Sequence, residues 1–464
     1  MNRKLSRFIG DRNFYRAVFA IAVPIILQMS ITNLVTLIDN VMVGRLGTES
    51  MSGVSIVNQF VFIFNLVVFG ALSGAGIFTA QYHGKGDVKG VRSTMQIKLI
   101  STLLIGVIGT VLFILCDDFL INTFLHEEGT EGDLVLAFNE AKRYLKYAVW
   151  GFLPYSVSLA YATTLREIGK PVAPMIASFA AVGINFALNL ILIFGLLGAP
   201  ALGVAGAAIA TTVSRFAELF ILLIWTHLNG TRVKFTKGLF TEFTISSQLV
   251  RGVLVKGMPI LVNELLWSVA TTLRNQCYST RGLEVLAAVS IITTVLNVLN
   301  VVHMSTASAI GIMAGNKLGA GRTEEAKITA TRMTVLACAS ALLIGAVMAA
   351  LSGVFPLMYD VSDKVRDISK DLLIISGIYM VFYAFNVCTY YTIRSGGRVV
   401  GVMLMDSGFM CVIILPITAF FAYFTGINIY LLFAIGQGTE ILKTIFAAFL
   451  LKKFNWARQM VDKV

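Results

Sequence analysis

The stretch PIILQMSITNLVTLIDNVMVGRLG, residues 24–47, returns in outline 235 residues later as PILVNELLWSVATTLRNQCYSTRG, residues 259–282. Pro24-Ile25-Ile26-Leu27 answers to Pro259-Ile260-Leu261-Val262, and Gly47-Thr48-Glu49 to Gly282-Leu283-Glu284. The same spacing carries through Val54-Ser55-Ile56 and Val289-Ser290-Ile291. It reaches Gln81-x-x-Gly84-x-Gly86-Asp87, matched by Asn316-x-x-Gly319-x-Gly321-Arg322. Later the spacing becomes 228, and Leu165-Arg166-Glu167-Ile168-Gly169-Lys170 faces Ile393-Arg394-Ser395-Gly396-Gly397-Arg398. The matches fall at equivalent ends of long apolar runs, so the chain reads as one pattern written twice.

What is repeated is apolar. The 464 residues are 57% hydrophobic and 13% charged, against about 25% charged in soluble domains. Twelve segments are long enough to cross a hydrocarbon core of about 30 Å: 17–40, 53–81, 95–116, 141–164, 172–195, 203–226, 253–279, 285–315, 329–353, 370–393, 400–424 and 429–451. The first is too long for the apolar part of a signal peptide. With no water in the core to satisfy backbone groups, the segments must be helices; they lack the alternation of a membrane barrel. The expected fold is therefore an all-α membrane protein, twelve transmembrane helices in two pseudo-symmetric six-helix lobes. Residues 1–226 make the N-terminal lobe, 227–251 a polar cytoplasmic linker and 252–464 the C-terminal lobe. An even number of helices per copy gives parallel repeats, a transporter architecture with cargo held near mid-membrane.

Lys and Arg orient the chain. The N-terminus (Arg3, Lys4, Arg7, Arg12, Arg16), the loops after even-numbered segments (among them Lys85, Lys98, Lys170, Arg251, Arg322 and Arg398) and the C-terminal tail (Lys452, Lys453, Arg458, Lys463) hold 26 of the 37. The opposite loops hold 8, and the loop 117–140 carries Asp117, Asp118, Glu127, Glu128, Glu131 and Asp133. Both termini are expected in the cytoplasm of a cell whose inner membrane the chain crosses many times. The net charge of +12 is then topology, with no nucleic-acid partner. The five cysteines and four histidines, His126 among them, are scattered with no metal spacing. His83-Gly84-Lys85-Gly86-Asp87 lacks phosphate-loop spacing and reads as a tight turn. No enzyme chemistry and no cofactor are expected.

The run Asp39-Asn40-Val41-Met42-Val43-Gly44-Arg45-Leu46-Gly47 resembles the signature of multidrug and toxic compound extrusion (MATE) transporters. The two Gly-rich loops, Leu165-Arg166 ahead of Gly169-Lys170-Pro171, Asn185-x-x-x-Asn189 before Ile193-Phe194-Gly195, and Gly206-Ala207-Ala208-Ile209-Ala210-Thr211 are similar too. The resemblance spans nearly the whole chain and sits closer to the DinF-like branch than to the NorM-like one. It implies proton- or sodium-coupled antiport of small drugs, often cationic, by alternating access in a monomer. Flippases for lipid-linked precursors in the wider superfamily are the alternative, and a passive channel a second.

Ionised groups inside a membrane are costly and so mark function. Asp39 is the first candidate: hydrocarbon disfavours its charge, so a proton or a cation can change its state. Asn185 and Asn189 are four apart and share a helix face; Thr211 adds a hydroxyl. The resemblance implies that these four make the coupling site and supply oxygens to Na+ if sodium is the ion. It also implies that Asn189 stands where many relatives carry Asp. Glu264, five residues after Pro259, is expected to bind a cation or a cationic drug; NorM-like members pair such an acid with one in the tenth helix, where this chain has Asn386. Pro24 and Pro259 should each bend a helix. Glu218, Asp406 and Glu440 are expected near the interface. Within the helices only Arg215 and Arg274 stand out as bases, and Met29, Phe60, Phe62, Phe64, Trp267, Met304 and Tyr383 are available as cargo wall.

Overall fold

The computed structural model describes residues 7–124, 134–243, 245–359 and 361–462. Arg3, Lys4, His126, Glu127, Glu128, Glu131, Asp133 and Lys463 lie outside them. The described regular structure is helical: α1 (Arg12–Gly44), α2 (Thr48–Lys85), α3 (Val88–Leu115), α4 (Asp117–Phe124), α5 (Leu134–Ala148), α6 (Phe152–Glu167), α7 (Val172–Phe194), α8 (Val204–Leu228), α9 (Ser247–Ser279), α10 (Leu283–Gly319), α11 (Thr323–Ala350), α12 (Asp363–Ser395), α13 (Val399–Phe424) and α14 (Ile429–Lys453). Eleven of these, among the described residues, are long and apolar enough to cross a membrane.

The expected fourth crossing, 141–164, differs. It is two shorter helices, α5 and α6, joined by a 3-10 turn at Val149–Gly151. Pro154 follows in the first turn of α6, where its missing N–H costs nothing. α13 departs from α geometry as well, with π-helical segments at Leu404–Gly408 and Met410–Ile414. Pro24 and Pro259 lie inside continuous helices.

The repeated Gly-rich turns follow from sterics. Gly86 and Gly321 take φ of +80° and +76°, open to glycine at little cost. Gly84 meets the backbone of Asn316, and Gly319 that of Gln81. The two contacts are related by the 235-residue repeat, and neither leaves room for a Cβ.

The chain divides into two compact units. One comprises Met1–Ile26, Ala80–Gly86 and Met258–Val464; the other Leu27–Thr79 and Asp87–Gly257. These boundaries differ from the contiguous division 1–226, 227–251 and 252–464, and packing explains why. Val18 and Ala22 of α1 share a core with Ala307, Ile310, Ala330 and Met405. Gln81 donates to the carbonyls of Ser395 (3.0 Å) and Arg458 (3.1 Å) and accepts from the Met460 N–H (2.7 Å). The segment 227–251 is more than a polar tether: Val233, Phe235 and Leu239 are buried. Gln96 of α3 caps the Leu239 and Glu242 carbonyls at 2.8 Å each, and Arg92 pairs with Glu242.

Lys98, expected in a loop, is ten residues into α3 and fully buried, its ammonium 2.5 Å from Glu167. α3 begins earlier than hydropathy indicates because Asp87 caps it, accepting from the Gly90 N–H.

Candidate functional site

In the unit holding residues 27–79 and 87–257, α1, α7 and α8 bring four of the expected residues into one series. Asn189 Nδ2 donates to Asp39 Oδ1 (2.6 Å) and to Asn185 Oδ1 (3.2 Å); Asn185 Nδ2 donates to Thr211 Oγ1 (3.3 Å). Asn185 and Asn189 are buried one turn apart on α7. α8 comes close enough to supply Thr211 because Gly206 lies directly on the Leu192 carbonyl. Asn189 Oδ1 is buried and has no hydrogen-bond partner. An unpaired buried acceptor costs about 1–3 kcal/mol, and a cation beside it would remove that cost. Two further groups lie within electrostatic reach of the Asp39 carboxylate: Arg215 and Tyr144, on the short α5. The break before α6 was not legible as a site feature, so Tyr144 was missed.

One to two turns along α8, Glu218 is buried. Its Oε1 accepts from Ser178 Oγ at 2.7 Å, Ser178 in turn accepts from Gln28 Nε2 at 2.8 Å, and Arg215 reaches Oε2 at 3.1 Å. Arg215 also lies over the Tyr155 ring, 5.0 Å from its centroid.

The C-terminal unit carries more acid–base structure than expected. Tyr390 donates to Glu264 Oε1 at 2.9 Å. Asn386 turns elsewhere, donating to Glu440 Oε2 at 2.7 Å and accepting from Thr444 at 3.1 Å. Glu264 and Asn386 therefore share no hydrogen bond, and Tyr390, a turn further along α12, takes the place expected of Asn386. Asp406 is gripped on both oxygens, by Lys443 Nζ (2.7 Å) and Asn263 Nδ2 (3.0 Å). Asp406 and Glu440 thus find partners inside the protein. Arg215 and Arg274 are not the only bases within helices, since Lys443 lies well inside α14. Of the aromatic candidates, Phe64 stacks on Phe152 and Phe60 sits edge-on to Phe113, both buried; Phe62 and Trp267 stay exposed.

The MatE family model matches residues 24–191 and again 259–423, well over half the chain. This chain belongs to the MatE family. The two MatE matches begin at Pro24 and Pro259, the residues from which the internal repeat was read. A probable multidrug resistance protein NorM of Thermotoga maritima is 27% identical over 387 residues, covering 83% of this chain and 81% of that protein. The multidrug resistance protein MdtK of Photorhabdus laumondii is 22% identical over 97% of both chains. A solved structure described as the outward-facing conformation of a multidrug resistance MATE family transporter of the MOP superfamily superposes with a TM-score of 0.84. It is 20% identical and covers 97% of this chain and 98% of that one. The MatE fold and its class, a transporter and not an enzyme, are thereby assigned. Asp39, Asn185 and Asn189 lie within the first match; Thr211, Arg215 and Glu218 of α8, and Glu440 and Lys443 of α14, lie beyond the matched residues.

Proposed function

We propose that this MatE protein is a cation-coupled exporter of small amphipathic, often cationic, compounds, and that Asp39 with Asn185, Asn189 and Thr211 holds the coupling ion. One observation carries the reading: four oxygen-bearing side chains from three helices converge, and the buried Asn189 Oδ1 among them lacks a partner. Such an arrangement suits a proton on Asp39 or a sodium ion among the four oxygens. Loading favours one state of α1, cargo affinity falls in that state, and coupling follows from the difference in affinity between states. A potential of 100 mV supplies about 2.3 kcal/mol per charge, about 50-fold in concentration.

The names of the relatives support drugs as cargo. Glu264, half-buried with Tyr390 on one oxygen, is the acid for a cationic drug. The flippase alternative calls for uncommitted buried bases; Lys98 and Lys443 are each paired with an acid, and Arg274, whose buried Nε has no hydrogen-bond partner, is the base it would use. The protein acts as a monomer in the inner membrane with both termini in the cytoplasm, and needs no cofactor.

The test is ethidium or fluoroquinolone export from proteoliposomes under imposed proton or sodium gradients, for wild type and Asp39→Asn. Asp39→Asn export at the wild-type rate overturns the coupling site. Transport of a lipid-linked sugar in place of drug overturns the cargo, and downhill flux that no gradient can concentrate identifies a channel.

A further inference from the structure

The two units build the same polar node with opposite sign. Gln28 and Asn263 each follow their repeat proline by four residues, and Ser178 and Asp406 are related by the 228-residue spacing. Arg215 and Glu218 are the twelfth and fifteenth residues of α8; Glu440 and Lys443 are the twelfth and fifteenth of α14. So Arg-x-x-Glu in one unit answers to Glu-x-x-Lys in the other. In the first, Gln28 bonds Ser178 and Ser178 bonds the carboxylate of Glu218. In the second, Asn263 and the ammonium of Lys443 bond the carboxylate of Asp406.

We propose that Lys443 is a tethered cation that permanently fills a monovalent-cation position in the C-terminal unit, confining exchangeable cation binding to the other unit. The groups that hold its ammonium are ones a free cation would use, and they outweigh the Arg274 guanidinium that also lies within electrostatic reach. Asp406 Oδ1 is 2.7 Å away, and the Lys443 side chain is 9% exposed. Asn263 fixes the second Asp406 oxygen and accepts from the Ser407 backbone N–H (3.1 Å), inside the π-helical segment Leu404–Gly408. π-Segments recur at functional positions because they re-aim side chains. Glu440, a turn before Lys443, lies within electrostatic reach and is itself held by Asn386. A lysine at depth in a membrane helix is costly unless paired, and breaking such a pair leaves an uncompensated charge. Removing the side chain therefore leaves a carboxylate-lined gap that takes a small cation from solution.

The reading of Asp39 as coupling site enters only the second clause, so the test is made in the Asp39→Asn background and read by unfolding rather than transport. The proteins are Asp39→Asn alone and the same with Lys443→Ala, Lys443→Arg, or Asp406→Asn together with Lys443→Ala. Each is unfolded thermally in lipid nanodiscs in the chlorides of choline, sodium, methylammonium and tetramethylammonium, each at about 100 mM. The Lys443→Ala protein should gain about 2–4 °C in sodium or methylammonium over choline, with no gain from tetramethylammonium, which has no N–H to donate. The other three should unfold alike in all four salts. A Lys443→Ala protein that ignores these ions, or that cannot be purified in any of them, overturns the proposal, because a purely structural ion pair gives that result. A sodium response in the protein that keeps Lys443 overturns the confinement to one unit.

Discussion

Asn189 donates to the carboxylate of Asp39 across 2.6 Å, joining α7 to α1 over 150 residues of sequence. The same amide nitrogen also reaches Asn185, which leaves the Asn189 oxygen without a donor. Hydrogen bonds to charged groups contribute about 1.5–3 kcal/mol. Asn189→Ala takes away the oxygen a sodium ion would use and should weaken sodium binding about 10- to 150-fold, read as the sodium concentration giving half-maximal export; proton loading of Asp39 should not weaken, because the same substitution removes a donor that favours the carboxylate. An unchanged half-saturation would remove Asn189 from the site.

Adding charge at that position works the other way. Asn189→Asp places a second carboxylate beside Asp39 and supplies the hard oxygens a sodium ion favours. Export by this variant should become more dependent on sodium than the wild type, measured in sodium-free against sodium-containing buffer at fixed pH. Equal dependence would argue against cation ligation by residue 189.

Lys98 and Glu167 make a buried ion pair, with Thr164 also accepting from the ammonium at 3.1 Å. Removing one partner strands the other charge at about 3–5 kcal/mol, whereas replacing both is close to neutral. Lys98→Met and Glu167→Gln should each unfold at markedly lower temperature than wild type, and the double variant should recover most of the loss. Additive losses would show that the pair is not coupled.

Gly345 of α11 and Gly377 of α12 face each other, and a Cβ on Gly377 would stand 2.7 Å from the Gly345 carbonyl oxygen. Small residues let membrane helices approach closely. Gly377→Ala should cost about 1–3 kcal/mol through overpacking, and Gly377→Leu should prevent recovery of folded protein, both read by fluorescence-detected size exclusion. Normal yield of the leucine variant would contradict the helix contact.

Cys116 is exposed at the end of α3, while Cys277 and Cys388 are buried. With cytoplasmic termini, the end of the third helix faces outward. A membrane-impermeant maleimide should label intact cells, and Cys116→Ser should abolish that labelling. Labelling only after lysis would invert the topology.

Legibility in the sequence followed the range of the forces involved. Helix number and the duplication were readable because hydrocarbon imposes length and composition on each segment separately. Asp39 stood out as an acid in an apolar run, and Asn185 and Asn189 as polar residues on one helix face; that these meet Thr211 was implied only by the family resemblance. The partners were not. Nothing local tells Asn386 to choose Glu440 over Glu264, or Tyr390 to reach Glu264; helix packing decides it. Lys443 was overlooked for a related reason, since nothing in its own helix shows that Asp406 lies against it. The broken fourth crossing escaped notice because a 3-10 turn of three residues leaves hydropathy untouched.

Val18 and Ala22 lie in the same core as Ala307 and Met405, and Gln81 is capped by the C-terminal tail. A chain cut within 227–251 would strip these residues of their cover, so the two fragments should not be soluble in detergent alone and should need co-expression. The gene duplication written into the chain then implies an ancestral six-helix product that could persist only by sharing its amino-terminal segment with a second copy.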